Sequence, residues 1–240
     1  MNKKFLRLEI VLVLAASLGT SAIFSLLRLA QLMLAPEGIG GSKTELNPSL
    51  ASAEFFAFSF ELVGIAYSLA PAAIALYLLR RENDKAFGEV GIWPINWRFD
   101  LSRGLALAAV IGIPGLALYA VARLTNLAAK IVPAELDGYW WMAGMLLLSA
   151  LRAALQEEVI MVAYLYKRFE QLGLGFRSQQ LISASIRACY HAYQGFAGIV
   201  GNFAMGLVFG YAYRRWGRVL PLVVAHFVLD AASFVRSEER

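Results

Sequence analysis

The chain has 240 residues, of which 59% are hydrophobic and 16% charged, and its mean hydropathy is +0.60. A soluble domain is roughly 45–50% apolar and about 25% charged. Composition therefore excludes a soluble globular domain, a disordered chain and a disulfide-rich secreted module, and the single cysteine, Cys189, cannot form an internal disulfide. The net charge of +5 does not point to nucleic acid, because the basic residues sit in short clusters between long apolar runs. That is the pattern of a multi-pass protein whose first partner is a lipid bilayer.

A helix needs about 20 mostly apolar residues to cross the hydrocarbon core. The sequence predicts an all-α transmembrane bundle of about seven such runs, over 10–34, 56–79, 104–122, 139–165, 178–193, 197–213 and 219–235. The first follows Lys3, Lys4 and Arg7. It is longer than the apolar region of a signal peptide and lacks a clear cleavage site, so it reads as a retained span. Residues 35–55 are rich in Gly, Ser and Pro and form an irregular outer loop. Trp93, Pro94 and Trp97 place the 80–103 connection at the headgroups. The fifth and sixth runs meet at Gln194 and Gly195, which predicts a tight hairpin.

Lysine and arginine alternate in density between the runs. One side carries fourteen: Lys3, Lys4, Arg7, Arg80, Arg81, Lys85, Arg98, Arg103, Lys167, Arg168, Arg177, Arg214, Arg215 and Arg218. The other carries five, Lys43, Arg123, Lys130, Arg236 and Arg240. The positive-inside rule then sets the N-terminus in the cytoplasm and the C-terminus outside, in the cell membrane. No internal repeat is visible. The organisation is one bundle, with N-terminal helices over 1–139 and a chemically richer core over 140–235.

Ionisable groups inside the runs are Arg28, Glu61, Arg152, Glu157, Glu158, Arg187, His191, His226 and Asp230. Each costs about 2.5–3.5 kcal/mol at a helix centre, so it must be paired or functional. Seven of these nine lie between 152 and 230, and both histidines of the chain are among them. Arg187 and His191 stand four apart, as do His226 and Asp230, so each pair shares a helix face. Glu157 and Glu158 point about 100° apart, which lets one face a cavity and the other a neighbouring helix. Arg28 reads as a snorkelling residue near a span end, Glu61 as a partner for it, and Arg152 with Gln156 as structural. Asn202, Gly206 and Gly210 fall at i, i+4 and i+8, a small-residue face for close helix packing. Asn202 on that face is a supporting candidate for the site.

Glu-Glu on one helix, His on the next and His-x-x-x-Asp on the last resembles the CPBP family of intramembrane endopeptidases. That family includes the type II CAAX prenyl proteases and the bacteriocin-immunity (Abi) proteins. Its pattern is EExxxR, FxxxH and HxxxN or HxxxD, and the matching stretches here are EEVIMVAYL (157–165), RACYHAYQG (187–195) and HFVLD (226–230). Two positions depart from it, with Val162 in place of the motif arginine and Arg187 in place of the motif phenylalanine. One idea explains both: the arginine has moved from the fourth run to the fifth, where it pairs with Glu158. Degeneration into an inactive relative is the other reading.

The resemblance implies hydrolysis of a peptide bond in a membrane-embedded or lipidated protein or peptide. Glu157 would be the general base on a water, which His191 would orient or share. His226 and Asp230 would hold the scissile carbonyl, with an ionised Asp230 fixing the His226 tautomer. Glu158 and Arg187 would support Glu157. No cofactor is required by this reading. The alternative is zinc held by Glu157, His191 and His226, although the HExxH arrangement is absent. Two further alternatives are a catalytically inactive scaffold or immunity protein, and a proton-coupled transporter. A transporter would more often show two related halves, and none is visible.

Overall fold

The computed structural model describes residues 2–45, 54–132 and 140–235. The boundary drawn at 139/140, part of the 35–55 loop, and Arg236 and Arg240 lie outside or at the edge of the described residues. Each of the seven apolar runs is mainly helical over its described residues. The first is a bent pair, α1 (Lys3–Ala15) and α2 (Leu18–Leu34), with 55° between them. Ser17 Oγ donates to the Val13 carbonyl at 2.6 Å at the break. After a single turn, α3 (Gly38–Gly41), strand β1 (Lys43–Glu45) precedes α4 (Glu54–Glu82). A second single turn, α5 (Ala86–Glu89), leads into α6 (Trp97–Leu124) and strand β2 (Lys130–Val132). β1 and β2 pair in parallel, with Lys43 opposite Lys130.

The fourth run is one continuous helical rod. It consists of α7 (Met142–Glu158), a π-helical segment over Val159–Tyr164, and α8 (Leu165–Leu172). Then come α9 (Phe176–Tyr190), a 3₁₀ turn over Ala192–Gln194, α10 (Phe196–Trp216) and α11 (Leu220–Val235). The hairpin at 194–195 forms as expected. Gly195 adopts φ +89 there, a conformation that L side chains rarely take.

Among the described residues three helices are long and apolar enough to cross a membrane: α4, α6 and α10. The bent α1–α2 pair makes a fourth if it acts as one span. Helix α9, at 15 residues, is shorter than the about 20 of a straight crossing, and the 3₁₀ turn over Ala192–Gln194 carries the run on to α10. Much of the apolar surface points outward, including Phe55, Val63, Tyr67, Ile113 and Val121, as a lipid-facing surface would. The core instead gathers around the π-helical segment, where Val159 through Tyr164 are all buried.

Two glycines set the approach of the helices that carry the site. A Cβ on Gly206 would lie 2.8 Å from Ala184 Cα and 3.6 Å from Arg187 Cδ, so α10 can touch α9 only with no side chain at 206. A Cβ on Gly104 would lie 2.9 Å from the Pro221 carbonyl and would collide with Val224, which brings α6 onto α11 in the same way.

One expectation about charge fails. Arg168, assigned to a cytoplasmic loop, is fully buried on α8. It pairs with Glu9 of α1 at 2.8 Å and Glu82 of α4 at 2.6 Å. The helix continues past the apolar run because two carboxylates from other helices neutralise this arginine. A loop charge and a buried paired charge look alike in sequence.

Candidate active site

Glu157 and Glu158 end α7 where the π-helical segment begins. A π turn widens the helix and leaves a carbonyl off the usual i→i−4 ladder, a feature often found at functional sites. Here the Met161 carbonyl accepts from Ser183 Oγ of α9 at 2.8 Å, which ties α9 to the widened turn. The two glutamates diverge as their adjacency requires. The Glu158 side chain is completely buried and that of Glu157 is 12% exposed.

Arg187 on α9 reaches both. Its Nη2 donates to Glu158 Oε1 at 2.7 Å, and its Nη1 lies 3.4 Å from Glu157 Oε2. The guanidinium stacks over Phe209 of α10 at 5.5 Å from the ring centroid. The contact between Glu158 and Arg187 expected from the two departures is present. The arginine forks across the two carboxylates and gives each a single N–H. Glu158 Oε2 is left buried with no hydrogen-bond partner among the described residues. Val162, itself buried, occupies the position of the motif arginine.

His226 on α11 approaches from the third side. Its Nδ1 is 2.7 Å from Glu158 Oε1, and its Nε2 is 3.5 Å from Asp230 Oδ2 and 4.0 Å from Glu157 Oε2. An ionised carboxylate only accepts, so Nδ1 carries a proton toward Glu158. Glu158 therefore fixes the ring's orientation, the role that the sequence reading gave to Asp230. Asp230 instead stands on the Nε2 side, with its side chain 35% exposed.

His191 lies just past the end of α9 with φ −102, ψ 4. Its Nε2 is 3.7 Å from Glu157 Oε2, is buried, and has no hydrogen-bond partner among the described residues. Gln194 Nε2 is 3.5 Å from its Nδ1. Tyr193 stacks against the ring at 6.2 Å, interplanar angle 28°.

Tyr190 was missed. Its buried hydroxyl donates to Glu157 Oε2 at 2.7 Å, the shortest contact to that carboxylate. It stands three residues after Arg187, on the same helix face. In an apolar run a tyrosine reads as packing, and only its register with Arg187 could have marked it. The other polar residues singled out in the runs have these partners. Asn202 donates to the Gly198 carbonyl of its own helix at 3.0 Å. Arg28 donates to Gln31 at 2.6 Å, and Glu61 has Arg152, not Arg28, as its electrostatic neighbour.

The donors suit a divalent cation poorly. Among the described residues, the group whose ligand atoms lie within 4.8 Å of one another is Glu157, Glu158 and His226, not the set with His191. Arg187, a permanent cation, already sits on both carboxylates of that group. A second cation there would face that charge and would displace the hydrogen bond from His226 to Glu158.

Residues 139–232 match the family model described as type II CAAX prenyl endopeptidase Rce1-like. No curated protein and no solved structure matches the chain. The matched segment holds every residue of the glutamate–histidine cluster, and over that segment the chain is similar to the type II CAAX prenyl endopeptidases.

Proposed function

We propose that the chain is an intramembrane endopeptidase that hydrolyses a peptide bond of a membrane-associated protein or peptide, using a water activated by Glu157. The observation that carries this reading is the convergence on one oxygen. Glu157 Oε2 has Tyr190 Oη at 2.7 Å, Arg187 at 3.4 Å, His191 Nε2 at 3.7 Å and His226 Nε2 at 4.0 Å. Tyr190 and Arg187 hold the carboxylate. The two histidine nitrogens stand at separations that a bridging water spans.

Glu157 takes a proton from that water, and the hydroxide attacks the scissile carbonyl carbon. His191, with Nδ1 accepting from Gln194, presents an Nε2–H that orients the water. His226 donates from Nε2 to the developing oxyanion. Because Nδ1 already donates to Glu158, this requires the doubly protonated ring, and Glu157, Glu158 and Asp230 surround it with negative charge. Such a donor, fixed in advance, stabilises the tetrahedral intermediate without reorganisation. Glu157 then returns its proton to the leaving amine as the C–N bond breaks.

Seven helical runs, a cytoplasmic N-terminus and an external C-terminus are the topology that goes with this reading, supported by the arginine and lysine asymmetry. The bilayer-embedded position of Glu157 restricts substrates to peptides held at the membrane, by a lipid group or by their own apolar segment. The test is purified protein in liposomes with a library of lipidated and membrane-spanning peptides, read by mass spectrometry for new termini. Discrete cleavage is expected. Failure to cut any member would remove the protease reading and leave the inactive scaffold.

A further inference from the structure

His191 stands just beyond the last turn of α9, with the Tyr190 ring of that helix 4.8 Å from its own. The 3₁₀ turn after it adds the Gln194 amide at Nδ1 and the stacked Tyr193 ring. That turn is pinned from outside the segment that matches the family. The backbone N–H of Tyr193 donates to Ser25 Oγ of α2 at 2.7 Å, and Ser25 is 4% exposed. A second pin comes from the chain before β2, where the Ala129 N–H donates to the Gln194 carbonyl at 3.3 Å. We infer that Ser25 is a positioning residue for His191: by fixing the 3₁₀ turn, the N-terminal bent helix pair sets the distance between His191 Nε2 and Glu157.

The physical argument is local. The part-buried Tyr193 N–H uses the buried Ser25 hydroxyl as its acceptor, and a backbone N–H turned away from water must be paired. Without it the turn must rotate to find another partner, and the Gln194 amide and Tyr193 ring move with it. His226 is held on α11 by Glu158 at 2.7 Å, a contact that does not pass through this turn. The inference rests on the proposed reaction only in its kinetic part.

The chain's two histidines make the test direct. Full-length protein carrying ¹⁵N-imidazole histidine in lipid nanodiscs gives one set of ring signals for each. Ser25→Ala should displace the His191 signals and leave those of His226 in place. Ser25→Thr, which keeps the hydroxyl, should leave both at the wild-type positions. In the cleavage assay Ser25→Ala should lower kcat about tenfold, the scale of one hydrogen bond lost from an oriented group, with KM unchanged. Displacement of both histidines by Ser25→Ala, of neither, or of His191 equally by Ser25→Thr would overturn the inference. A wild-type protein without proteolytic activity would remove the protease reading, and the NMR arm would still decide the role of Ser25.

Discussion

Replacing Arg187 with leucine is the perturbation that most severely tests the ion network. The Glu158 side chain is completely buried, and Arg187 Nη2 at 2.7 Å and His226 Nδ1 at 2.7 Å share its Oε1. Its Oε2 has no partner among the described residues. Removing the arginine leaves two adjacent carboxylates with a single histidine between them. Breaking a buried pair from one side costs about 3–5 kcal/mol. For a chain of this size each kcal/mol shifts Tm by roughly 2–4 °C, so Arg187→Leu should lower Tm by about 6–20 °C. Cys189, the lone thiol, reports unfolding through a thiol-reactive dye in detergent. Arg187→Leu combined with Glu158→Gln should recover much of the loss, since the unpaired charge is then gone. Arg187→Phe combined with Val162→Arg should recover stability from the other side, by supplying a guanidinium to Glu158 from its own helix. A drop below about 2 °C for Arg187→Leu alone, or no recovery in either double variant, would refute the view that Arg187 replaces the arginine missing at 162.

Three further outcomes follow. A reporter active only in the cytoplasm should work when fused before Met1 and fail after Arg240, and the opposite pattern would reject the orientation. Cleavage should survive metal chelators, because Arg187 holds the carboxylates that a metal would need; loss of activity with rescue by zinc would reverse that conclusion. Gly206→Val should cost about 1–3 kcal/mol by overpacking, read as a lower Tm, and should also reduce cleavage by forcing α9 and Arg187 away from Glu158, whereas Gly144→Val, with open space around it, should leave packing unchanged.

The apolar runs were legible because hydropathy over a span-length window is a summed signal, and each run proved mainly helical over its described residues. The bend at Ser17 and the π-helical segment after Glu158 were not, since both arise from tertiary demands on an otherwise ordinary apolar sequence. The cluster could be assembled from sequence because buried charge is costly, so its few members had to find each other. That logic located the Glu158–Arg187 contact. It could not say which atom meets which: Glu158, not Asp230, orients His226, and Arg187 divides itself between two carboxylates. Tyr190 and Ser25 escaped notice because neither residue type is expensive in a membrane helix, so their presence raises no question until their partners are known. Arg168 misled in the opposite direction, since its partners Glu9 and Glu82 lie far away in the chain.

The central claim is that Glu157 removes a proton from the attacking water. The most direct measurement compares cleavage of one identified membrane peptide by wild-type protein and by Glu157→Gln, at matched amounts in liposomes, with Tm and the His226 NMR signal recorded as checks on folding. Glu157→Gln keeps the shape and can still accept from Tyr190, but it cannot take a proton. The account predicts that it stays folded and that cleavage falls to background. A folded Glu157→Gln protein that cuts the peptide at a rate near wild type would contradict the account.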